Sequence, residues 1–294
     1  MEQYNLEGTI DINKNRKHEA YRKTDTWSTY QEDFIKFKHN IIEWSEKNEP
    51  KVLLRVYDGE LLFMKNTKRG NVGRRHVSVE LTPEFTKSFY ENSLKCDKLA
   101  SHLTVIPPLN YGKVNSQFDL YTEIYGRKKI DYPMEFHYAI VLNRWIFKNF
   151  KNQIGLIGGK GKIGVIRKLM EYKEYRDYLG IDCFTNYIEI PEKFSCDNPP
   201  ELLQQIKKQL RKSNPSTKIF LFGMGISKLA AAYKFKNYFP AIYIDAGGSF
   251  SALAGFISKR RPYAAGWTNY RIQNYDYSNV DKMDTTEDEN IIYL

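Results

Sequence analysis

Cysteine is scarce in this sequence, and long apolar runs are missing from it. Only three cysteines occur among 294 residues, with no Cys-x-x-Cys pair and no histidine at ligand spacing. With these absences, the sequence suggests neither a disulfide framework nor a structural zinc site. No window approaches the ~18 consecutive apolar residues that a membrane-spanning helix needs. We therefore expect no transmembrane segment, and the cysteine usage favours a reducing, cytoplasmic location.

The two ends of the chain also lack the patterns of packed structure. Residues 1–26 are polar and charged with little periodicity, and they lack the apolar core of a secretory signal. We expect a polar N-terminal arm there. The sequence from about residue 276 is polar and acidic, as expected of a surface tail. Residues 27–294, including this tail, are expected to form a single α/β domain.

Positive charge exceeds negative charge. The chain has 45 Lys and Arg against 35 Asp and Glu, a formal net charge of +10. This balance favours anionic partners, such as nucleotides, nucleic acid or a phospholipid surface. Apart from the stretch "NTKRGNVGRRH", the basic residues are scattered among acids, so no dedicated nucleic-acid partner is expected.

Spacing of apolar residues predicts helices in the first half of the chain. Helices are predicted over Trp27–Asn48 and Glu135–Phe150, and "TPEFTKSFYENSL" predicts a helix with Thr82 as its N-cap. The run "KVLLRV" is typical of a buried strand. "RRHVSVEL" and "SHLTVIPP" are predicted as further short strands.

Strands and helices alternate regularly in the second half. The predicted strands are "QIGLIGG", "NYIEIP", "KIFLFG" and "AIYIDAG", and a helix over Ile163–Tyr178 is among those that separate them. This alternation predicts an α/β fold with a doubly wound, mostly parallel, Rossmann-like sheet covered by helices on both faces. In such sheets, ligands bind outside the carboxyl ends of the strands.

One glycine-rich stretch falls at such a strand end. "GGKGKIG" places glycines at G-x-G-x-x-G spacing between a predicted strand and a predicted helix, the context of a dinucleotide-binding fingerprint. Glycines there let backbone N–H groups approach a phosphate, so Gly158, Gly159 and Lys160 are candidate cofactor-binding residues. A plain tight turn explains the stretch equally well. An NAD-dependent oxidoreductase, with Asp182 or Glu189 binding the ribose, is the alternative function that this motif suggests.

Two further strand ends have similar features. "GMGISK" contains Gly223 and Gly225, followed by Lys228 at a position from which its ammonium can reach a phosphate. A glycine turn with a solvated lysine is the alternative. "IDAGGSF" places Asp245 at the next strand end, where it can hydrogen-bond a sugar hydroxyl or cap a helix.

The stretch "LLRVYDGELLFM" places two acids one residue apart at a strand end. Asp58 and Glu60 could together hold a divalent cation, and oxygen ligands of this kind suit Mn²⁺ or Mg²⁺. The structural alternative is an Asp-Gly turn with a glutamate at a helix start.

These segments together resemble the GT-D type glycosyltransferases. In that family an arginine-containing strand leads into Gly-Asp-Gly-Glu, whose acids form the Asp-x-Glu motif, and "IFLFGMGISKLAA" and "AIYIDAGGSF" are similar to its later glycine-containing segments. The resemblance places Arg55 on the strand and Asp58 and Glu60 in the motif. The glycine usual before the aspartate is Tyr57 here, a departure that can change metal geometry or donor fit.

The resemblance implies an enzyme of glycan biosynthesis. It would transfer a sugar from a nucleotide-sugar donor, usually UDP-linked, to a glycan or glycoprotein acceptor, with Mn²⁺ or Mg²⁺ at the Asp-x-Glu pair. Glu60, Asp245 and His137 are candidates for the general base, and His137 also fits a core position in "EFHYAIVL". The segment "GWTNYRIQNYDY" suggests a donor or acceptor surface that includes Trp267, Tyr270 and Arg271.

Overall fold

The computed structural model describes residues 25–65, 77–101, 121–126, 130–257 and 271–281. The side chains of residues 25–31, Asp58 and Glu135 lie outside this description. Within these ranges, no helix combines the length and the apolar character needed to cross a lipid bilayer. The basic stretch 66–76, together with Trp267 and Tyr270, lies outside the described residues.

Seven strands of the described residues form one sheet in which every pairing is parallel. Their spatial order is β3-β2-β1-β7-β6-β4-β5. The strands are β1 (Val52–Arg55), β2 (Lys98–Ser101), β3 (Tyr132–Pro133), β4 (Ile154–Gly159), β5 (Asn186–Ile190), β6 (Ile219–Gly223) and β7 (Ile242–Asp245). This arrangement confirms the predicted α/β class and extends the parallel sheet to the first half of the chain.

Helices connect these strands and cover the sheet. They are α1 (Asp25–Glu46), α2 (Asp58–Met64), α3 (Pro83–Ser93), α4 (Met134–Leu142), α5 (Trp145–Asn149), α6 (Lys160–Leu169), α7 (Lys173–Leu179), α8 (Pro199–Leu210), α9 (Ser227–Ala231), α10 (Phe235–Tyr238) and α11 (Gly248–Leu253). A 3₁₀ turn, Ala232–Lys234, joins α9 to α10.

The strands bury both of their faces because successive side chains point to opposite sides of a sheet. In β6, Ile219 and Leu221 pack in one core with α1, α4, α5, α6, α7 and α11. Phe220 and Phe222 pack in the second core with α2, α3, α8, α9 and α10. The sheet is therefore the middle of three layers.

The predicted helix Glu135–Phe150 is wrong in one respect, because the structure divides it into α4 and α5. Arg144, between them, has a backbone φ of 59°, which a helix cannot include. Its guanidinium lies 4.7 Å from the ring centroid of Tyr178 and donates a 2.9 Å hydrogen bond to the carbonyl of that residue. These contacts hold the break in place.

The predicted helix Ile163–Tyr178 is likewise divided, into α6 and α7. The guanidinium of Arg176 donates to the carbonyls of Met170 and Glu171 at 2.7 and 2.8 Å, so two groups just beyond the end of α6 gain partners without a longer helix. The N-cap prediction for α3 is confirmed, because the Phe85 N–H donates to Thr82 Oγ1 at 3.2 Å.

One predicted strand differs from the structure. The described part of "RRHVSVEL", residues 77–81, is not a strand, and the N–H of Ser78 donates instead to Asp197 Oδ1 at 2.7 Å. Of "SHLTVIPP", only Ser101 is described, and it is the last residue of β2.

Candidate active site

The carboxyl ends of three neighbouring strands lie side by side at one edge of the sheet. β1 ends at Arg55, β7 ends at Asp245 and β6 ends at Gly223. α2 follows β1 and supplies Glu60, while α9 follows β6 and supplies Lys228. The side chains of Arg55, Glu60, Lys228 and Asp245 meet here, each 8% exposed or less, and we call these four residues the charged cluster.

The ammonium of Lys228 joins the two acids of this cluster. Its Nζ lies 2.7 Å from Glu60 Oε1 and 2.7 Å from Asp245 Oδ2. A buried ammonium requires such partners, because burial without them is very costly. Gly225, with a φ of 53°, makes the turn that leads from β6 to α9. The alternative interpretation of Lys228 as a solvated lysine is therefore wrong.

Both carboxylate oxygens of Asp245 accept hydrogen bonds from the protein. Oδ2 accepts from Lys228 and from the backbone N–H of Arg55 at 3.1 Å, and Oδ1 accepts from the N–H of Gly247 at 3.0 Å. Burial by itself would raise the pKa of Asp245, but the charges of Lys228 and Arg55 outweigh it and hold the pKa below its ordinary value. Asp245 is therefore ionised at neutral pH.

Glu60 is held in the same way at the start of α2. Its Oε1 lies against Lys228, and its Oε2 accepts the backbone N–H of Tyr57 at 3.0 Å, which stabilises the first turn of the helix. Burial opposes ionisation of Glu60, yet Lys228 and Arg55 lower its pKa below the ordinary value.

Arg55 completes the cluster on the side of α4. Its guanidinium lies 5.1 Å from the ring centroid of Tyr138, donates to the Tyr138 hydroxyl, and has its Nε 3.8 Å from Asp245 Oδ2. A Cβ on Gly247 would lie 2.2 Å from Nη2 of Arg55, and Gly247 has a φ of 50°. Glycine at this position is therefore what admits the guanidinium. No pattern in the sequence indicated Tyr138 as a member of the site.

His137 lies beside the charged cluster but contacts backbone. Its Nδ1–H donates to the carbonyl of Asp245 at 2.9 Å, and its ring stacks on Phe37 with centroids 5.6 Å apart. Its Nε2 is buried and has no hydrogen-bond partner among the described residues. Burial lowers the pKa of His137 to about 4, so the ring is neutral at pH 7.

The metal site predicted at Asp58 and Glu60 can be tested on Glu60 alone, because the side chain of Asp58 lies outside the described residues. Lys228 and the N–H of Tyr57 occupy both oxygens of Glu60. Among the side chains that the structure describes, no group of three or more His, Cys, Asp or Glu could hold a metal ion. The described donors therefore do not fit Mn²⁺ or Mg²⁺, which require several oxygen ligands.

The glycines of "GGKGKIG" have structural neighbours. Gly158 pairs with Gly223 in the sheet register, and a Cβ on either would come within 2.6 Å of Phe250 in α11. These two glycines let the aromatic ring pack directly on β4 and β6. α6 then begins at Lys160, with no loop between it and β4.

A carboxylate of the protein occupies the N-terminus of α6, where a phosphate was considered. Glu192 Oε2 accepts the N–H of Gly161 at 3.0 Å, and a Cβ on Gly159 would lie 2.3 Å from the same oxygen. Asp182, which precedes β5, accepts a hydrogen bond from the side-chain amide of Asn152 at 2.8 Å. Glu189 accepts one from the guanidinium of Arg167 at 2.9 Å. These contacts do not support the dinucleotide-dependent alternative.

Arg271 is engaged away from the charged cluster. Its Nη1 lies 3.2 Å from Asp281 Oδ2, its Nε donates to the carbonyl of Gly255 at 2.8 Å, and its Cζ lies 4.4 Å from the ring centroid of Tyr277. Arg271 thus links the segment after α11, at Gly255, to the described C-terminal residues Tyr277 and Asp281.

Among the comparisons with known proteins, only the comparison with solved structures found similar proteins. No protein-family model matches the chain, and no curated protein matches it. The chain is similar to a solved structure described as "A New Glycosyltransferase (DUF1792) from Streptococcus sanguinis", with 13% identity and a TM-score of 0.49, over 83% of this chain and 95% of that chain.

Two other solved structures are similar. One is described as "The highly conserved domain of unknown function 1792 has a distinct glycosyltransferase fold", with 14% identity and a TM-score of 0.44, over 70% of this chain and 75% of that chain. The other is a selenomethionine-substituted structure of the domain of unknown function 1792, with 15% identity, a TM-score of 0.40 and coverages of 71% and 76%.

Proposed function

We propose that this protein is a glycosyltransferase that moves a sugar from a nucleotide-sugar donor, UDP-linked, to a glycan or glycoprotein acceptor. One observation supports the proposal most directly. The segments with the family resemblance are far apart in the sequence, yet Arg55, Glu60, Lys228 and Asp245 from them form a single buried cluster. These four residues come from β1, α2, α9 and β7, and none of them comes from "GGKGKIG".

The position of the cluster suits a nucleotide ligand. It lies at the carboxyl edge of a parallel sheet, where loops lead into helices and where ligands of open α/β folds bind. The formal net charge of +10 favours an anionic donor. The three free thiols are consistent with a cytoplasmic location, which we include in the proposal.

In glycosyl transfer, negative charge grows on the leaving diphosphate, and fixed positive charges lower the barrier. Arg55 and Lys228 are fixed charges of this kind, held in place by buried acids. Because the described oxygens of Glu60 are occupied, no step is assigned to a metal ion. Asp58, Glu60 and Asp245 remain the proposed catalytic acids, and Gly223 and Gly225 the proposed donor-binding turn.

The test is a panel of nucleotide sugars, with binding measured by calorimetry and donor hydrolysis measured by release of the nucleoside diphosphate. We expect a UDP-sugar to bind and to be hydrolysed slowly, and Asp245→Asn to abolish hydrolysis. Asp177→Asn is the matched control, because Asp177 is an exposed acid that pairs only with Lys173 among the contacts described for it.

Circular dichroism shows whether Asp245→Asn folds. Arg55→Lys is a second variant, which keeps the positive charge while losing the guanidinium that donates to the Tyr138 hydroxyl. Absence of binding to every nucleotide sugar by the wild type would overturn the proposal. So would a folded Asp245→Asn variant with wild-type hydrolysis.

A further inference from the structure

The ammonium of Lys228 stands where a divalent cation between the two buried acids would stand. It lies 2.7 Å from an oxygen of Glu60 and 2.7 Å from an oxygen of Asp245, and it is 1% exposed. We propose that Lys228 is a built-in replacement for a metal ion at this site, so that the protein binds and uses its donor without a divalent cation. The part concerning the donor rests on the proposed function, whereas the part concerning metal binding does not.

Charge balance supports this inference. The charged cluster contains two carboxylates, one ammonium and one guanidinium, so its formal charge is zero. A divalent cation placed among these groups would meet two fixed positive charges that are already buried. Among these four described side chains, no uncompensated negative charge would offset the desolvation of the cation.

The hydrogen bonds of Glu60 and Asp245 also support this inference. The four carboxylate oxygens of Glu60 and Asp245 all accept from protein donors, namely Lys228 and the backbone N–H groups of Tyr57, Arg55 and Gly247. A hard cation such as Mg²⁺ needs oxygen atoms with free lone pairs in a near-octahedral arrangement. Metal binding here would require several of these bonds to break.

The start of α9, which carries Lys228, is buried. Ser227, the first residue of α9, is fully buried, contacts the hydroxyl of Ser195, and accepts a hydrogen bond from Cys196 Sγ at 3.5 Å. Lys228 itself is 1% exposed. The ammonium is thus part of the folded core and not a mobile surface group.

The test combines metal and donor measurements on the full chain. Protein stripped with EDTA should bind and hydrolyse its UDP-sugar as well as protein supplied with Mn²⁺. Calorimetry with Mn²⁺ alone should show no binding to the wild type. Loss of donor binding on EDTA treatment, restored by Mn²⁺, would overturn the inference while leaving the transferase proposal intact.

A substitution tests the replacement directly. Lys228→Met keeps an unbranched side chain, one heavy atom shorter, but leaves Glu60 and Asp245 without their shared cation. We therefore expect Mn²⁺ to bind this variant and to raise its melting temperature as more of it is occupied. Lys236→Met is the matched control, because Lys236 pairs with Asp97 outside the charged cluster. Mn²⁺ should leave this control and the wild type unchanged.

The two proposals fail in different ways. If no nucleotide sugar binds under any condition, the proposed function fails, and Mn²⁺ binding to the wild type and to Lys228→Met still tests the inference. Mn²⁺ binding to the wild type that disappears in Glu60→Gln would reject the inference. If Lys228→Met does not fold, the EDTA and Mn²⁺ measurements on the wild type decide alone.

Discussion

At the scale of residues, the charged cluster shows why buried charges must be counted together. Lys228 and Asp245 are each 1% exposed, and Glu60 is 6% exposed. Removing one member leaves another buried charge without its partner, which is the costly case for a buried ion pair. Removing two opposite charges leaves Arg55 and Asp245, which still balance each other.

We predict that Lys228→Met alone lowers the free energy of unfolding by about 3–5 kcal/mol. Glu60→Gln alone should also destabilise, because it unbalances Lys228. The double variant should lose less than the sum of the single losses, because no uncompensated charge remains. Urea unfolding at pH 7 measures all three values.

The exposed pair Lys173 and Asp177, with side chains 81% and 61% exposed, is the control for this cycle. Its coupling should be below about 0.5 kcal/mol because solvent screens it. Strict additivity in the Glu60 and Lys228 cycle would contradict the charge balance described above.

His137 gives a prediction about pH. Its pKa is lowered from 6.5 to about 4 by burial. The unfolded chain therefore binds the proton at a higher pH than the folded protein does. The stability that the neutral ring contributes is fully present above pH 6.5 and is lost as pH falls from 6.5 to about 4, by about 3 kcal/mol in total.

The variant His137→Asn keeps an N–H donor for the carbonyl of Asp245 but does not titrate. We expect the difference in unfolding free energy between wild type and variant to shrink as pH falls from 7 to 4. Urea titrations at several pH values measure this difference. A difference that stays constant over the range would show that His137 is not buried in its neutral form.

At the scale of elements, the glycines at the ends of β4 and β6 are explained by the packing of α11. The ring of Phe250 occupies the space that a Cβ on Gly158 or Gly223 would need. Gly164, in the same "GGKGKIG" stretch as Gly158, lies within α6, and a Cβ added there would have no neighbour within 4 Å among the described residues. Packing against Phe250 thus explains why Gly158 must be glycine, whereas no described contact requires glycine at position 164.

We predict opposite effects of two alanine substitutions. Gly223→Ala should destabilise by about 1–3 kcal/mol through overpacking against Phe250. Gly164→Ala should stabilise by about 0.5–1 kcal/mol, because alanine is the better helix former and meets no described neighbour. Adding Phe250→Leu to Gly223→Ala should recover part of the loss, as thermal or urea unfolding can show. Equal effects of the two alanine substitutions would refute this account of the two glycines.

At the scale of the whole molecule, the sheet joins the two cores. The same strands supply side chains alternately to the core that contains α6 and to the core that contains α8. Neither core can lose its packing while the strands remain in place for the other. We therefore expect both layers of helices to unfold together.

Ile166→Ala in α6 and Ile206→Ala in α8 test this coupling, because both residues are fully buried on opposite faces of the sheet. Each substitution should cost about 2–5 kcal/mol and shift one common transition. Far-ultraviolet and near-ultraviolet circular dichroism should report the same midpoint for each variant. Two separate transitions, each sensitive to one substitution, would show that the cores are independent.

Much of the architecture could be predicted because its signals are local. The runs that form β4, β5, β6 and β7 alternate with helical periodicity, and this alternation indicates a parallel sheet. The N-cap at Thr82 was also predictable, since capping involves residues close in sequence. The break at Arg144 was not, because its contacts with Tyr178 come from a distant helix.

The sequence by itself determined that acids, glycines and a lysine stand at the carboxyl ends of parallel strands, because strand direction and strand end follow from local patterns. Only the tertiary structure decided the partner of each group: Lys228 for Glu60, and Glu192 for the N-terminus of α6. The physical reason is that charge pairing acts through space at a few ångströms. Residues distant in sequence reach that separation only after the strands have assembled.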